Sequence, residues 1–337
     1  MKELELIKKL KQHSSLHGET KNIIKGIGDD CAILKPELNS YLSITTDTLV
    51  EKIHFDLNFI SAYDLGKKTV LANVSDIAAV GGTPLWATLN IAFRNGLNDN
   101  FWNDFINGIC DTLQEYKISL VGGDTVASSV LTLNLTLIGA VIPEKWLRRD
   151  AAKVGDKIYV SGYLGDSAGG LKILNLNNNE KLDIGDSDRN YLIKRHINPS
   201  PQLELGKMLS SKGLVACAID LSDGLATDLS HVCEESCAGA IIFADNIPIS
   251  RETNNLSKLL RISPLELALK GGEDFELLWT ANPSIEDEML KEATKILGHR
   301  PYYVGQITEE KGVFLEQNGQ KEEITYQGYE HGSYKTN

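Results

Sequence analysis

The sequence predicts a mixed α/β (α+β) protein of two domains. Three observations carry that prediction. Apolar runs with period-two alternation take turns with stretches of helical spacing along the chain, the rhythm of sheets covered by helices. At 337 residues the chain is longer than a single core usually serves. Its 42% apolar and 24% charged residues are the composition of a packed protein, which excludes wholesale disorder.

The elements follow in order. Leu4, Ile7 and Leu10 have helical spacing in a short helix over 3–13, which lacks the long apolar core and small-residue cleavage site of a signal peptide. A Gly/Asp loop at 26–31 leads to a strand over 41–46. Leu65, Thr69, Ala72, Asp76 and Val80 fall near one face of a helix over 61–80, stopped by Gly81-Gly82. Next come a strand over 84–93, a helix over about 100–116 and a short strand over 118–121. A long β-prone run covers 130–142. A second α/β unit starts near Trp146. Its strand over 157–161 passes through a glycine turn into a helix ending near 175. Residues 176–190, rich in Asn and Asp, read as a surface loop. Helix, strand and helix then cover about 201–212, 214–220 and 223–236, with Ser222 as a candidate cap. Alternation continues to a hairpin turn at 316–321. No Pro/Gly/Ser-rich linker marks the boundary, so the rhythm alone places it, giving domains over 1–147 and 148–337.

Charge narrows the function. Lys+Arg 34 against Asp+Glu 46 gives −12, which makes the chain a poor candidate for nucleic acid or anionic membranes, whose phosphates it would repel, and none is expected as a partner. No apolar stretch is long enough to span a bilayer, and a cytoplasmic protein is expected. Cys31, Cys110, Cys217, Cys233 and Cys237 form no C-x-x-C pair. Cys233 and Cys237 read as one helix face, but with only His231 beside them the expectation is reduced, mostly buried thiols rather than zinc. Trp86, Trp102, Trp146 and Trp279 read as packing residues.

The aspartates are the informative residues. They recur where apolar strands end, next to glycine or a hydroxyl: Gly28-Asp29-Asp30, Thr45-Thr46-Asp47-Thr48, Ser75-Asp76, Gly122-Gly123-Asp124, Asp220-Leu221-Ser222-Asp223-Gly224 and Gly271-Gly272-Glu273-Asp274. Singly, each is a turn or a cap. Together they differ, because open α/β sheets bind ligands at strand ends and gathered carboxylates repel unless a cation joins them. Hard oxygen donors suit magnesium, and adjacent glycines let N–H groups approach phosphates. The pattern points to metal-dependent phosphate transfer. The usual nucleotide signatures are missing: there is no G-x-x-x-x-G-K-[ST], and Cys31 stands where Gly26-Ile27-Gly28 would need its third glycine.

Seven blocks then follow in a fixed order. They are Gly28-Asp29-Asp30-Cys31-Ala32, Thr46-Asp47-Thr48-Leu49-Val50 with His54-Phe55, Asn73-Val74-Ser75-Asp76-Ile77-Ala78-Ala79, Val121-Gly122-Gly123-Asp124-Thr125, Leu147-Arg148-Arg149, Asp220-Leu221-Ser222-Asp223-Gly224-Leu225 and Gly271-Gly272-Glu273-Asp274-Phe275-Glu276-Leu277. From about residue 26 to 331 the chain resembles the thiamine-monophosphate kinase family of the aminoimidazole ribonucleotide synthetase superfamily. The resemblance implies a two-domain aminoimidazole ribonucleotide synthetase-like fold with ATP- and metal-binding residues 1–147. It also implies a homodimer joined through β-structure of the N-terminal domains. It implies ATP-dependent phosphorylation of thiamine monophosphate to thiamine diphosphate, the last step of that cofactor's synthesis, with several magnesium ions.

Position by position, it implies Asp30, Thr45, Thr46, Asp47, Asp76, Asp124, Asp220 and Asp223 as metal ligands. Asp47, Asp76, Asp124 and Asp220 form the catalytic set. Gly123, Asp124, Arg149, Ser222 and Asp223 are the implied ATP contacts, and His54, Glu273 and Tyr329 the substrate contacts. Many members carry glycine where Ala151 stands, which leaves Arg148 and Arg149 both open. The chemistry is consistent with these residues. A phosphomonoester loses its second proton near pKa ~6, so the attacking oxygen needs no general base. A cationic thiazolium suits an aromatic face and a carboxylate. Two relatives fit less well: selenophosphate synthetase wants a reactive cysteine in an N-terminal glycine-rich segment, and the hydrogenase maturation factor a C-terminal cysteine tail. A non-catalytic sensor of the same fold predicts lost acidic loops.

Overall fold

The computed structural model describes residues 9, 10, 12, 22–25, 33–37, 39–176 and 182–329. Most of the helix expected over 3–13, the loop at 26–31 with Asp30, and Cys31 lie outside the described residues. The chain divides into two units, Met1–Ile77 with Gly82–Glu144, and Ala78–Gly81 with Lys145–Asn337.

In the first unit β1 (Ile23–Lys25) and β2 (Ile33–Leu34) form a small antiparallel ladder. The main sheet is built from β3 (Tyr41–Val50), β4 (Thr83–Phe93), β5 (Ser119–Ala127) and β6 (Thr132–Val141), in the order β3-β6-β4-β5. Only β4 and β5 run parallel, joined by α2 (Asp99–Glu115); α1 (Ala62–Ala79) precedes β4. Alternation gives the sheet two unlike faces. Leu133, Leu135 and Leu137 of β6 are fully buried on one face, whereas Leu42, Ile44, Thr46 and Thr48 of β3 are exposed on the other. The helices touch main chain to main chain. A Cβ on Gly66 would stand 2.4 Å from the Phe105 carbonyl oxygen, and one on Gly108 2.0 Å from that of Tyr63.

Two strands run past their expected ends. β3 pairs with β6 as far as Val50, and β5 follows β4 to Ala127. Asp47 and Asp124 therefore sit inside strands rather than at their ends. An open face tolerates polar side chains, so hydrophilic residues there do not stop pairing.

The second unit has a seven-stranded sheet. In chain order its strands are β7 (Lys157–Val160), β8 (Cys217–Leu221), β9 (Gly239–Phe243), β10 (Glu276–Ala281), β11 (Tyr302–Thr308), β12 (Gly312–Gln317) and β13 (Gln320–Glu323). They lie in the order β13-β12-β9-β11-β7-β10-β8, antiparallel except for β9 with β12. The intervening helices are α3 (Asp166–Leu174), α4 (Asp186–Ile197), α5 (Leu203–Lys212), α6 (Leu225–Glu235), α7 (Arg251–Leu260), α8 (Pro264–Lys270) and α9 (Glu286–Leu297). All six residues of β10 are buried, because both faces of the sheet are covered. One core gathers Leu225, Leu229 and Val232 of α6 with Ile158, Ile219 and Leu278. The other packs Tyr159 and Trp279 against Leu205, Leu209 and Met289. Trp86 and Trp102 are buried as well.

Three expectations are corrected here. Helix α4 begins inside the stretch 176–190 expected as a loop. Asp186 and Asp188 occupy its first turn, where the positive end of the helix dipole favours acids. Helix α6 begins at Leu225 behind Gly224, and no side chain caps it, so Ser222 is not its cap. Cys237 lies beyond α6 at φ 53°, off the helix face assigned to it. Cys110, Cys217 and Cys233 are buried and Cys237 is exposed, all four as free thiols. The expected hairpin turn is there, with Asn318 and Gly319 at positive φ between β12 and β13. Among the described residues no helix is long and apolar enough to cross a membrane.

Candidate active site

In the first unit Thr45 and Asp47 occupy the inner side of β3. The Thr45 hydroxyl donates to Asp76 Oδ2, on the last turn of α1. Asp76 is half-buried between the buried Ser75 and Ile77. Thr46 faces the other way. Its Oγ1 donates to the Leu135 carbonyl at 3.3 Å and lies 3.0 Å from Thr136 Oγ1. Asp124 faces the outer side too, since directly paired residues share a face and the register runs Asp124, Asn90, Asn134, Thr48. Side-chain amides tie that row together: Asn90 Nδ2 donates to Asn134 Oδ1 at 3.1 Å, and Asn134 Nδ2 to Thr48 Oγ1 at 2.8 Å. The structure thus places Thr45, Asp47 and Asp76 on one side of the sheet, and Thr46 and Asp124 on the other. Gly123 is required by packing, because a Cβ there would lie 1.9 Å from the Leu89 carbonyl oxygen.

His54 sits on the turn after β3. The buried Glu51 anchors the base of that turn, receiving Arg94 Nε at 2.6 Å and Nη2 at 2.9 Å. Hydrogen bonding from Arg94 outweighs burial and holds the Glu51 carboxyl below its usual range. Val50 N–H donates to His54 Nδ1 at 3.1 Å. A neutral His54 ring therefore carries its proton on Nε2.

In the second unit three loops meet. Glu273 N–H donates to the Ser222 carbonyl at 2.8 Å, Phe275 N–H to Leu221 at 2.9 Å, and Tyr329 N–H to Asp223 at 2.9 Å. A Cβ on Gly272 would lie 2.4 Å from the Ser222 carbonyl oxygen, so the close approach needs glycine. Ser222, Asp223, Glu273 and Tyr329 are brought together in this way, beside the buried Asp220 of β8. Asp228, one turn into α6 and 2% exposed, joins them and accepts the Asp223 N–H at 3.1 Å. Burial first, then the Asp220 and Asp223 charges, push the Asp228 carboxyl well above its usual range, while Arg149 pulls it down. The Arg149 charge thus reaches Asp228. Arg148 is bound to Asp150 at 2.7 Å. Asp228 was missed in the sequence; its one signal was an acid inside an otherwise apolar helix pattern.

The block Gly271–Leu277 is mostly a clamp. Glu273 and Phe275 have φ of 64° and 51°, left-handed backbone that the surroundings must hold. Buried Asp274 accepts Gly165 N–H at 2.6 Å and Ser167 N–H at 3.0 Å, so the protein's own carboxylate fills the start of α3. Burial raises the Asp274 carboxyl to about 7, against those donors and Arg195. Glu276 receives Ser161 Oγ at 2.5 Å, Arg195 Nη2 at 2.8 Å and Gln202 Nε2 at 3.0 Å.

Among the described residues no three acidic, imidazole or thiol groups converge closely enough to hold an ion alone. The donors present are hydroxyl and carboxylate oxygens. That set fits magnesium, which retains waters and takes further oxygens from phosphates.

Family comparison fixes the class. The model of AIR synthase related protein, N-terminal domain, matches residues 28–141, and that of the C-terminal domain matches 153–318. Two AIR synthase related domains in series thus make up this mixed α/β chain. Thiamine-monophosphate kinase of Haemophilus influenzae is 38% identical over 335 residues, 98% of both chains. The crystal structure of thiamine-monophosphate kinase from Stenotrophomonas maltophilia K279a matches with TM-score 0.81 and 34% identity, over 95% of this chain and 98% of that one. AaThiL complexed with AMPPCP and TMP matches with TM-score 0.75 and 29% identity, over 96% of this chain and 95% of that one. The chain belongs to the thiamine-monophosphate kinase family.

Proposed function

We propose that the chain transfers the γ-phosphoryl group of ATP to thiamine monophosphate and releases thiamine diphosphate, the last step in making that cofactor. The observation that carries this is near-complete kinship, 98% of both chains, with a thiamine-monophosphate kinase. The acidic loops within the described residues support it.

The attacking group is a phosphate oxygen, largely ionised above pH ~6, so positioning and charge neutralisation supply the catalysis. Magnesium, when bound, neutralises the phosphates' mutual repulsion. Several ions are implied: Thr45, Asp47 and Asp76 on the inner side of the first unit's sheet, Thr46 and Asp124 on its outer side, and Asp220 and Asp223 in the second unit would hold them, with Asp30 among the ligands. Asp47, Asp76, Asp124 and Asp220 are the catalytic set. Gly123, Arg149, Ser222 and Asp223 serve ATP. His54 donates from Nε2 to the substrate, and Glu273 and Tyr329 meet the cationic thiazolium. We place the reaction in the cytoplasm, where ATP is available.

Two copies pair through the outer face of the first unit's sheet. Ile44 is 68% and Leu42 46% exposed there, beside Ile138 and Ala140 in register. Apolar residues side by side on an open face favour such pairing. Thr46 and Asp124 share that face.

The test is chromatographic. Purified protein is incubated with ATP, magnesium and either thiamine monophosphate or free thiamine. Thiamine diphosphate is expected from the monophosphate alone; its absence overturns the reading.

A further inference from the structure

Helix α4 carries three consecutive basic residues in its last turn, and two of them, Arg195 and His196, reach the block Gly271–Leu277. Arg195 binds Glu276 at 2.8 Å. His196 is 4% exposed, with Nδ1 3.3 Å from Glu273 Oε2 and 3.0 Å from Ser167 Oγ of α3. Each acid of the block therefore has a partner on the α3–α4 side: Glu273 has His196, Asp274 has the start of α3, and Glu276 has Arg195.

These contacts differ in what they do. Asp274 and Glu276 are buried and hold the chain in place. The Glu273 side chain is 26% exposed, on a left-handed main chain fixed to Ser222. Its carboxylate is the one of the three open to a ligand. Glutamate loses several rotatable bonds' freedom when it grips a ligand, and a buried donor that fixes it beforehand lowers that cost.

We propose that His196 is a positioning residue. Its Nδ1, 3.0 Å from Ser167 Oγ and 3.3 Å from Glu273 Oε2, shares one proton between the two oxygens, and this fork fixes the Glu273 carboxylate and so sets the affinity for the cationic substrate. This rests on the reading that Glu273 meets thiamine monophosphate. The imidazole is buried and acts on the substrate through Glu273. Its loss therefore weakens one substrate and leaves the other alone.

The test compares Michaelis constants for both substrates in four variants of the full chain. Glu273→Gln is expected to raise the KM for thiamine monophosphate. His196→Leu is expected to raise it about tenfold, the scale of one charge-assisted hydrogen bond, with the KM for ATP within about twofold. His196→Asn keeps a donor near the Nδ1 position and is expected to recover most of the loss. The double variant His196→Leu with Glu273→Gln is expected to match Glu273→Gln alone. Should His196→Leu fail to fold, His196→Gln replaces it, keeping a donor only at the Nε2 end. An unchanged KM in Glu273→Gln overturns the role of Glu273, and this inference with it. A raised KM in Glu273→Gln without one in the His196 variant overturns the inference alone. So does an equal rise in the KM for ATP, or a failure of asparagine to rescue.

Discussion

Asp47 shows how far a single residue can be read. It lies on the inner side of β3, on the same side as Thr45, whose hydroxyl binds Asp76. Asp47→Asn keeps the shape and removes the charge. Turnover is expected to fall by at least about a hundredfold, with the melting temperature within a few degrees. Near-normal kcat would refute its metal role. The residue types were legible because hard-metal and phosphate chemistry needs acids beside hydroxyls and glycines. Their facing was not. Thr45 and Thr46 look alike in sequence, yet one binds Asp76 and the other Thr136 across the opposite face. The surroundings of Arg148 and Arg149 needed three dimensions as well, since only contact shows that Asp150 engages the first.

At the scale of elements, the glycines and buried acids do the positioning. Gly123→Ala would drive a methyl group into the Leu89 carbonyl, and β5 would have to part from β4. A loss of about 2–3 kcal/mol is expected, read from the urea midpoint at unchanged slope. Asp274 gives a pH signature. Its carboxyl sits at about 7 in the folded protein against 3.8 as the ordinary value, so between those limits the folded state holds a proton that the unfolded chain has released. The contribution of Asp274 is therefore fully present below about pH 4 and is lost as pH rises through 7. Asp274→Asn removes that dependence. The fall in urea midpoint from pH 5 to pH 8 is expected to be smaller in the variant than in the parent, and an equal fall would place the titration elsewhere. Helices α1, α2 and α5 were legible from spacing and stop signals. Helix α4 was not, because the aspartates that suit its first turn are also the residues that mark loops.

At the scale of the whole molecule, the kinship and the alternating rhythm were legible, and the exposed sheet face was not. A strand that alternates Ile44 with Thr45 and Thr46 with Asp47 tells that its two faces differ, but not which one stays open. The structure shows Leu42 and Ile44 uncovered on a sheet whose other face is closed by helices. An exposed isoleucine contributes little to the stability of its own unit, so Ile44→Asp should leave the fold intact. In a paired face the same change buries a charge without a partner, a cost large enough to separate two copies. Light scattering behind gel filtration is expected to give twice 37.1 kDa for the parent and one copy for the variant. Because Thr46 and Asp124 share this face, dissociation should also lower kcat, whereas the Gly271–Leu277 clamp lies wholly in the second unit and Asp274→Asn should leave the dimer whole. A variant that stays dimeric would show that the pairing surface lies elsewhere, and that Leu42 and Ile44 are exposed for another reason.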